Sequence, residues 1–196
     1  FHYRLTPRPL KTGKRHIRDV DRNQKLPEPH DARAVANAIL DISARLGIPM
    51  YSTSLLKILY FSHGWHTALR GAPLVAQPFE AWRHGPVIRV VFDQLKDQDK
   101  SVIRKRLQRF DAAMQTYVVA QADIDDEGMR IVQATTQAYG QYHPFTLSDL
   151  THEPDSPWNE VWRAASNGQA PGAAISNASI RAYFLRQNAS DVLGIG

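Results

Sequence analysis

The chain has 196 residues, 43% hydrophobic and 22% charged, a composition that suits an ordinary globular protein with one substantial core. It contains no cysteine, which excludes disulfides, thiolate metal sites and a cysteine nucleophile and suits a cytoplasmic protein, and no apolar run approaches the roughly 18 residues of a membrane span. The net charge of +5 sits at one end: residues 1–30 hold eight Lys/Arg and three acids, while the rest of the chain holds sixteen of each.

Residues 1–30 carry four prolines and no sustained apolar periodicity. They predict a basic, extended or disordered arm, read either as a solubilising tail or as a clamp on an acidic partner or on phosphates. "DARAVANAILDISARLG" places Val35, Ile39, Ile42 and Leu46 at helical spacing. Asp31 is its N-cap and Gly47 its stop. The next helix runs from Ser52 or Thr53 to Arg70, ended by Gly71 and Pro73. Leu55, Leu56, Ile58, Leu59, Tyr60, Phe61 and Trp65 surround nearly its whole circumference. A helix apolar all round is buried on most sides, so this is expected to be the central helix.

"FEAWRH" alternates enough for a short strand. Gly85-Pro86 is expected to open a helix reaching about Asp97, with Ile88, Val91, Phe92 and Leu95 inward. "SVIRKRLQRF" puts Ile103, Leu107 and Phe110 on one helical face, leaving Arg104, Lys105, Arg106 and Arg109 as a basic stripe. "QTYVVA" reads as a strand that could pair near Trp82. "DIDDEG" caps a helix from about Asp125 to Tyr139, its first-turn acids suiting the helix dipole.

Three short helices are expected in the last third. One starts at Thr146 or Ser148 and ends near His152. The second has Ser156 as N-cap and Pro157 at its first position. The third, after the loop "NGQAPGAA", directs Ile180, Tyr183 and Phe184 inward. "SDVLGIG" reads as a frayed tail. The fold class is mainly α: a single helical domain over residues 31–188 around a buried central helix, with a small two- or three-stranded β-sheet, an arm at 1–30 and a tail at 189–196.

Several side-chain groups invite a chemical reading. His63 and His66 in "YFSHGWH" share a helix face, and HxxH is a spacing that metal sites use. A third ligand would have to come from Glu80, His84, His143 or His152. No HExxH motif supports that, and Gly64 between the histidines points to close approach of another backbone. Hydrogen-bonded histidines inside the packing are the simpler reading, with no metal and no cofactor. There is no G-x-S-x-G elbow, P-loop or G-x-G-x-x-G, and the carboxylates of "DIDDEG" are explained by capping. The chain therefore reads as a binding module, not an enzyme. The 104–109 stripe is either a solvated helix face or a docking face for an acidic partner or nucleic acid. No helix-turn-helix signature or interleaved aromatics favour nucleic acid. Trp82 beside Arg83 and His84 is either core packing or an interface hot spot.

Four segments then form a pattern. "LLKILYFSHGWH" resembles the "L-x-K-L-L-Y-F-x-H-G-W-H" segment of the Panacea domain family, the SocA-like antitoxins also described as phage-associated proteins. "PFEAWRHGPV" resembles that family's "P-x-E-A-W-x-x-G-P-V", and "LSDLTHEPDSPW" its "L-S-x-L-T-H-x-x-x-S-P-W". "ISNASIRAYF" resembles its closing "I-x-x-x-x-I-x-x-Y-F". The likeness covers about residues 35–187 and leaves the arm outside. Ile58 stands where Leu is usual and His84 where Tyr is common.

The resemblance implies an antitoxin of a bacterial or phage toxin–antitoxin pair, whose partner is a cognate protein toxin neutralised by direct binding. One branch of the family acts as an adaptor that delivers its toxin to a cytosolic protease. It carries over no catalytic residues. His63, Gly64, Glu80, Gly85, Pro86, His152, Ser156 and Trp158 are expected to be structural members of the motifs. Trp65, His66, Trp82, Arg83, His84, Arg104, Arg106 and Arg109 are the candidates for contact with the partner.

Overall fold

A computed structural model describes residues 26–98, 101–166 and 172–195. Most of the expected arm, through residue 25, lies outside the described residues, as do residues 167–171 of the expected loop. The described chain enters at His30, which belongs to the fold: its N–H donates to the Leu74 carbonyl at 2.9 Å, and its own carbonyl accepts from Ala76 at 2.8 Å.

Helix α1 (Ala32–Arg45) starts where Asp31 accepts from the Arg33 N–H and ends before Gly47, whose φ of 68° suits glycine. Helix α2 (Ser52–Arg70) is buried along nearly its whole length and ends at Gly71 in the left-handed conformation. Around it pack α1, α4 (Asp126–Tyr139), α5 (Pro144–Thr151) and α7 (Asn177–Leu185). Asp125 caps α4 by accepting from the Gly128 N–H, and its carboxylate also pairs with Arg70 at the end of α2 at 2.7 Å. Gly64 packs against α7: a Cβ there would overlap the edge of the Phe184 ring. Helix α6 (Pro157–Ser166) completes the domain beside the sheet. Among the described residues, no helix is long and apolar enough to cross a membrane.

The three-stranded sheet has β1 (Phe79–Trp82) at its centre. On one side β2 (Gly85–Val87) pairs antiparallel with Trp82 opposite Gly85; on the other, β5 (Ala174–Ile175) pairs with Ile175 opposite Phe79. A separate hairpin joins β3 (Gln108–Asp111) to β4 (Thr116–Val119).

Five sequence expectations are corrected. Pro86 does not open a helix; it lies in β2, at the sheet's edge, where a proline is tolerated. The helix α3 (Arg89–Leu95) begins only after the chain leaves that edge. Residues 101–107 are not helical. Ile103 and Leu107 are buried as expected, but from an irregular segment whose Ile103 N–H donates to Met50 O at 2.9 Å. Phe110, expected inward, is 49% exposed. The strand in "QTYVVA" pairs with β3, not near Trp82. Lastly, residues in the expected tail form a short helix, α8 (Ala189–Leu193), with Leu193 buried and α4 beside it.

Candidate functional site

The two histidines of α2 are fully buried and face different partners. His63 Nε2 pairs with Asn177 Oδ1 at 2.9 Å, and its Nδ1 accepts from the Val75 N–H at 3.4 Å. The acceptor role of Nδ1 leaves the proton on Nε2, donated to Asn177. Burial pushes the His63 pKa down to about 4, against the opposing bond from Asn177. His66 Nδ1 donates to the Ala72 carbonyl at 2.9 Å, and burial lowers its pKa too. Each ring thus ties a neighbouring segment to the central helix. Among the described residues, no group of three or more His, Cys, Asp or Glu side chains is placed to hold a metal ion.

Trp65 and His66 were expected to face a partner. They are 1% and 2% exposed, and the Trp65 indole donates to the Tyr139 hydroxyl at 3.3 Å. Both are core residues, held beneath the elements that pack around α2.

The other motif residues converge on Gly85. Its φ of 102° is one that L side chains rarely adopt, and a Cβ there would meet Thr151 Oγ1 at 2.5 Å and Lys57 Nζ at 2.7 Å. Lys57 is 2% exposed, and its ammonium donates to the Pro86 carbonyl at 3.1 Å. Burial lowers its pKa to about 7. Sequence reading passed over Lys57, although a lysine inside a helix that is apolar all round is itself a signal. Ser156 Oγ donates to the Thr151 carbonyl at 2.8 Å and accepts from the Asn159 N–H at 3.2 Å, fixing the start of α6. From α6 the Trp158 indole donates to the Trp82 carbonyl at 2.8 Å, and its ring stacks on His152 at 3.9 Å. His152 Nε2 is buried and finds no hydrogen-bond partner among the described residues.

Glu80 organises the outer side of the same turn. Its carboxylate accepts from the Trp82 indole at 2.8 Å and from Arg89 at 2.7 and 3.2 Å. The Arg89 guanidinium also stands 5.2 Å over the Trp82 ring. Residues far apart in sequence therefore lock the β1–β2 turn from both sides, leaving Arg83 and His84 exposed at its tip.

Residues 55–159 match the family described as Antitoxin SocA-like, Panacea domain. The chain belongs to that family. It is also 30% identical over 164 residues to Antitoxin SocA of Caulobacter vibrioides (strain NA1000 / CB15N), covering 84% of this chain and 87% of that protein. No solved structure matches the chain.

The matched span of the Panacea domain runs from α2 into α6 and holds the whole Gly85 cluster. Asn177, which pairs with His63, and Phe184, which packs at Gly64, lie beyond it, on α7. The remaining surface candidates of this Panacea domain are dispersed. Trp82 is half-buried, whereas Arg83 and His84 are exposed. Arg104 is exposed, Arg106 pairs with Asp41 of α1, and Arg109 pairs with Asp111 within β3 at 3.5 Å. The expected basic stripe is thus not one helix face, because these residues lie on an irregular segment and a strand.

Proposed function

We propose that this chain is the antitoxin of a toxin–antitoxin pair, and that it neutralises a cognate protein toxin in the cytoplasm by direct, non-catalytic binding. The observation that carries this reading is the similarity to Antitoxin SocA over nearly the full length of both proteins. The geometry supports a binding role. The Gly85 cluster spends its polar groups on holding a turn, and the Lys57 amine is enclosed by packing that leaves a substrate no access to it. What the cluster presents outward is the fixed tip at Arg83 and His84, with Trp82 beneath. A pre-organised surface of this kind reduces the ordering cost of association. We assign the activity to the folded unit that begins at His30 and ends with α8.

The test is a growth assay in bacterial cells expressing the protein encoded by the neighbouring gene, alone or with this chain. Growth arrest by that protein alone, relief on co-expression and co-purification of the two are expected. Undiminished arrest with no complex would contradict the proposal.

A further inference from the structure

A recess of about 330 Å³ opens between the C-terminal ends of α4 and α7, α8, and the loop that follows α5. Its floor is aromatic: Phe61 stacks on Tyr139 at 4.2 Å, and Trp65 meets Phe184 edge-on at 5.2 Å. Tyr142 and Tyr183 add further rings to its lining. Among the described residues, the ionisable acids in the lining are Glu153 and Asp191, and no Lys, Arg or His lines it. The Tyr183 hydroxyl donates to Glu153 at 2.9 Å. Burial raises the pKa of both Tyr139 and Tyr183; Glu153 adds to the rise in each, while the Trp65 bond opposes it at Tyr139 and Arg186 opposes it at Tyr183.

Aromatic faces and carboxylates around one cavity are complementary to a cation. An apolar occupant would strip water from both carboxylates without replacing it. A guanidinium fits better than an ammonium, because its plane stacks on rings while its fork pairs with a carboxylate. The volume, near the lower end of ligand-sized cavities of about 300–1,000 Å³, has room for a side chain and not for a helix. The chain's own Arg186 displays the same preference at the rim. It stands 5.5 Å over the Tyr183 ring and donates to the Asp155 carbonyl at 3.3 Å, yet it does not line the recess.

We propose that this recess is a cation-accepting subsite that receives an arginine side chain of the bound protein partner, stacked among Tyr139, Tyr142 and Tyr183 and paired with Glu153 and Asp191. The identity of the partner rests on the antitoxin reading; the chemistry of the recess does not.

The test uses the full chain, an NMR titration and two probes of equal shape, N-acetyl-arginine amide and its neutral isostere N-acetyl-citrulline amide. Saturable shifts of the Trp65 indole and the Tyr139 and Tyr183 amides are expected with the arginine probe, with citrulline about tenfold weaker. Glu153→Gln with Asp191→Asn should reduce arginine binding about tenfold while leaving the melting temperature in place, and Asp191→Asn alone should reduce it less. Equal response to both probes, or no shift at those residues, would overturn the subsite.

The double variant is then titrated with the neighbouring-gene protein. A weakened complex supports the partner's arginine as occupant. Wild-type affinity in the variant rejects that occupant while leaving the antitoxin reading intact. Arginine binding by a chain that neutralises no toxin would reject the antitoxin reading and keep the cation site. Saturation of the recess by residues 1–25 of the chain itself, seen as stronger arginine binding once they are removed, would assign the site to the arm instead.

Discussion

Gly64 and Lys57 show how single residues of α2 set the geometry of everything packed on it. At Gly64 the added methyl of alanine has to displace the Phe184 ring, which is itself 2% exposed and held among Tyr60, Phe61 and Trp65. Overpacking of this sort costs about 1–3 kcal/mol, occasionally more. Gly64→Ala is therefore expected to lower stability by at least about 2 kcal/mol in urea unfolding, and Gly64→Ala with Phe184→Leu by less than the sum of the two single changes. Strict additivity would show that α7 does not rest on this contact.

Lys57 gives the fold a pH dependence. Its amine protonates below about 7 in the folded chain, against 10.5 for the ordinary side chain. Between these values the unfolded chain binds more protons, so raising the pH stabilises the fold. Below 7 both states are charged and this contribution is constant. Burial of the Tyr60 phenol, which raises its pKa, opposes the trend above its ordinary value of 10.0. Thermal melts are expected to rise from pH 7 toward 10 in the wild type and to flatten in Lys57→Met. On the acid side, the neutral His63 acts in the same direction. The unfolded imidazole protonates below 6.5 and the folded one only near 4, so stability falls across that window as pH drops. A melting curve for Lys57→Met that kept the wild-type rise would remove Lys57 as its source.

At the scale of elements, the least self-sufficient piece is the β3–β4 hairpin, since two strands alone are marginally stable. Asn37 of α1 supplies the missing anchor. Its amide nitrogen donates to the carbonyls of Leu107 and Ala120 at 2.9 and 2.8 Å, and its oxygen accepts from the Leu107 N–H at 2.8 Å. Gln94 of α3 repeats the device at Gln108, donating to its carbonyl at 2.7 Å and accepting from its N–H at 2.9 Å. Asn37→Ala leaves buried backbone groups unpaired and is expected to cost about 2–4 kcal/mol. Hydrogen exchange should quicken at residues 108–119 before it does in α2. Uniform acceleration across the domain would mean the hairpin is not a separately anchored unit.

The same anchors explain what was legible in the sequence. The helices α1, α2, α4 and α6 announce themselves through local caps and periodicity: Asp31, Gly71, Asp125 and Ser156 all stand at the ends that the pattern implies. Residues 101–107 imitate a helix because Ile103 and Leu107 are four apart. What holds them is a tie from Leu107 to Asn37, 70 residues away, which no local pattern encodes. Pro86 misled for a related reason, since a proline suits both the first turn of a helix and an edge strand. The Gly85 cluster was half legible. Its motif residues stand out as a set, but that Lys57, Thr151 and Trp158 meet around one turn depends on how α2, α5 and α6 assemble. The aromatic recess was not legible, being assembled from α2, α4, the loop after α5, α7 and α8.

Across the whole molecule, the polar chemistry of the Panacea motifs is turned inward to fix a shape. His63, His66, Lys57, Ser156 and Trp158 all spend hydrogen bonds on other parts of the chain. Among the described residues, the tip at Arg83 and His84 and much of the hairpin are exposed, and the recess carries two carboxylates. The most direct measurement is a calorimetric titration of the purified chain with the purified product of its neighbouring gene. The account predicts a stoichiometric complex with Kd below about 1 μM, corresponding to roughly −8 kcal/mol. No heat of binding, with a neighbouring protein that is folded and toxic, would contradict it.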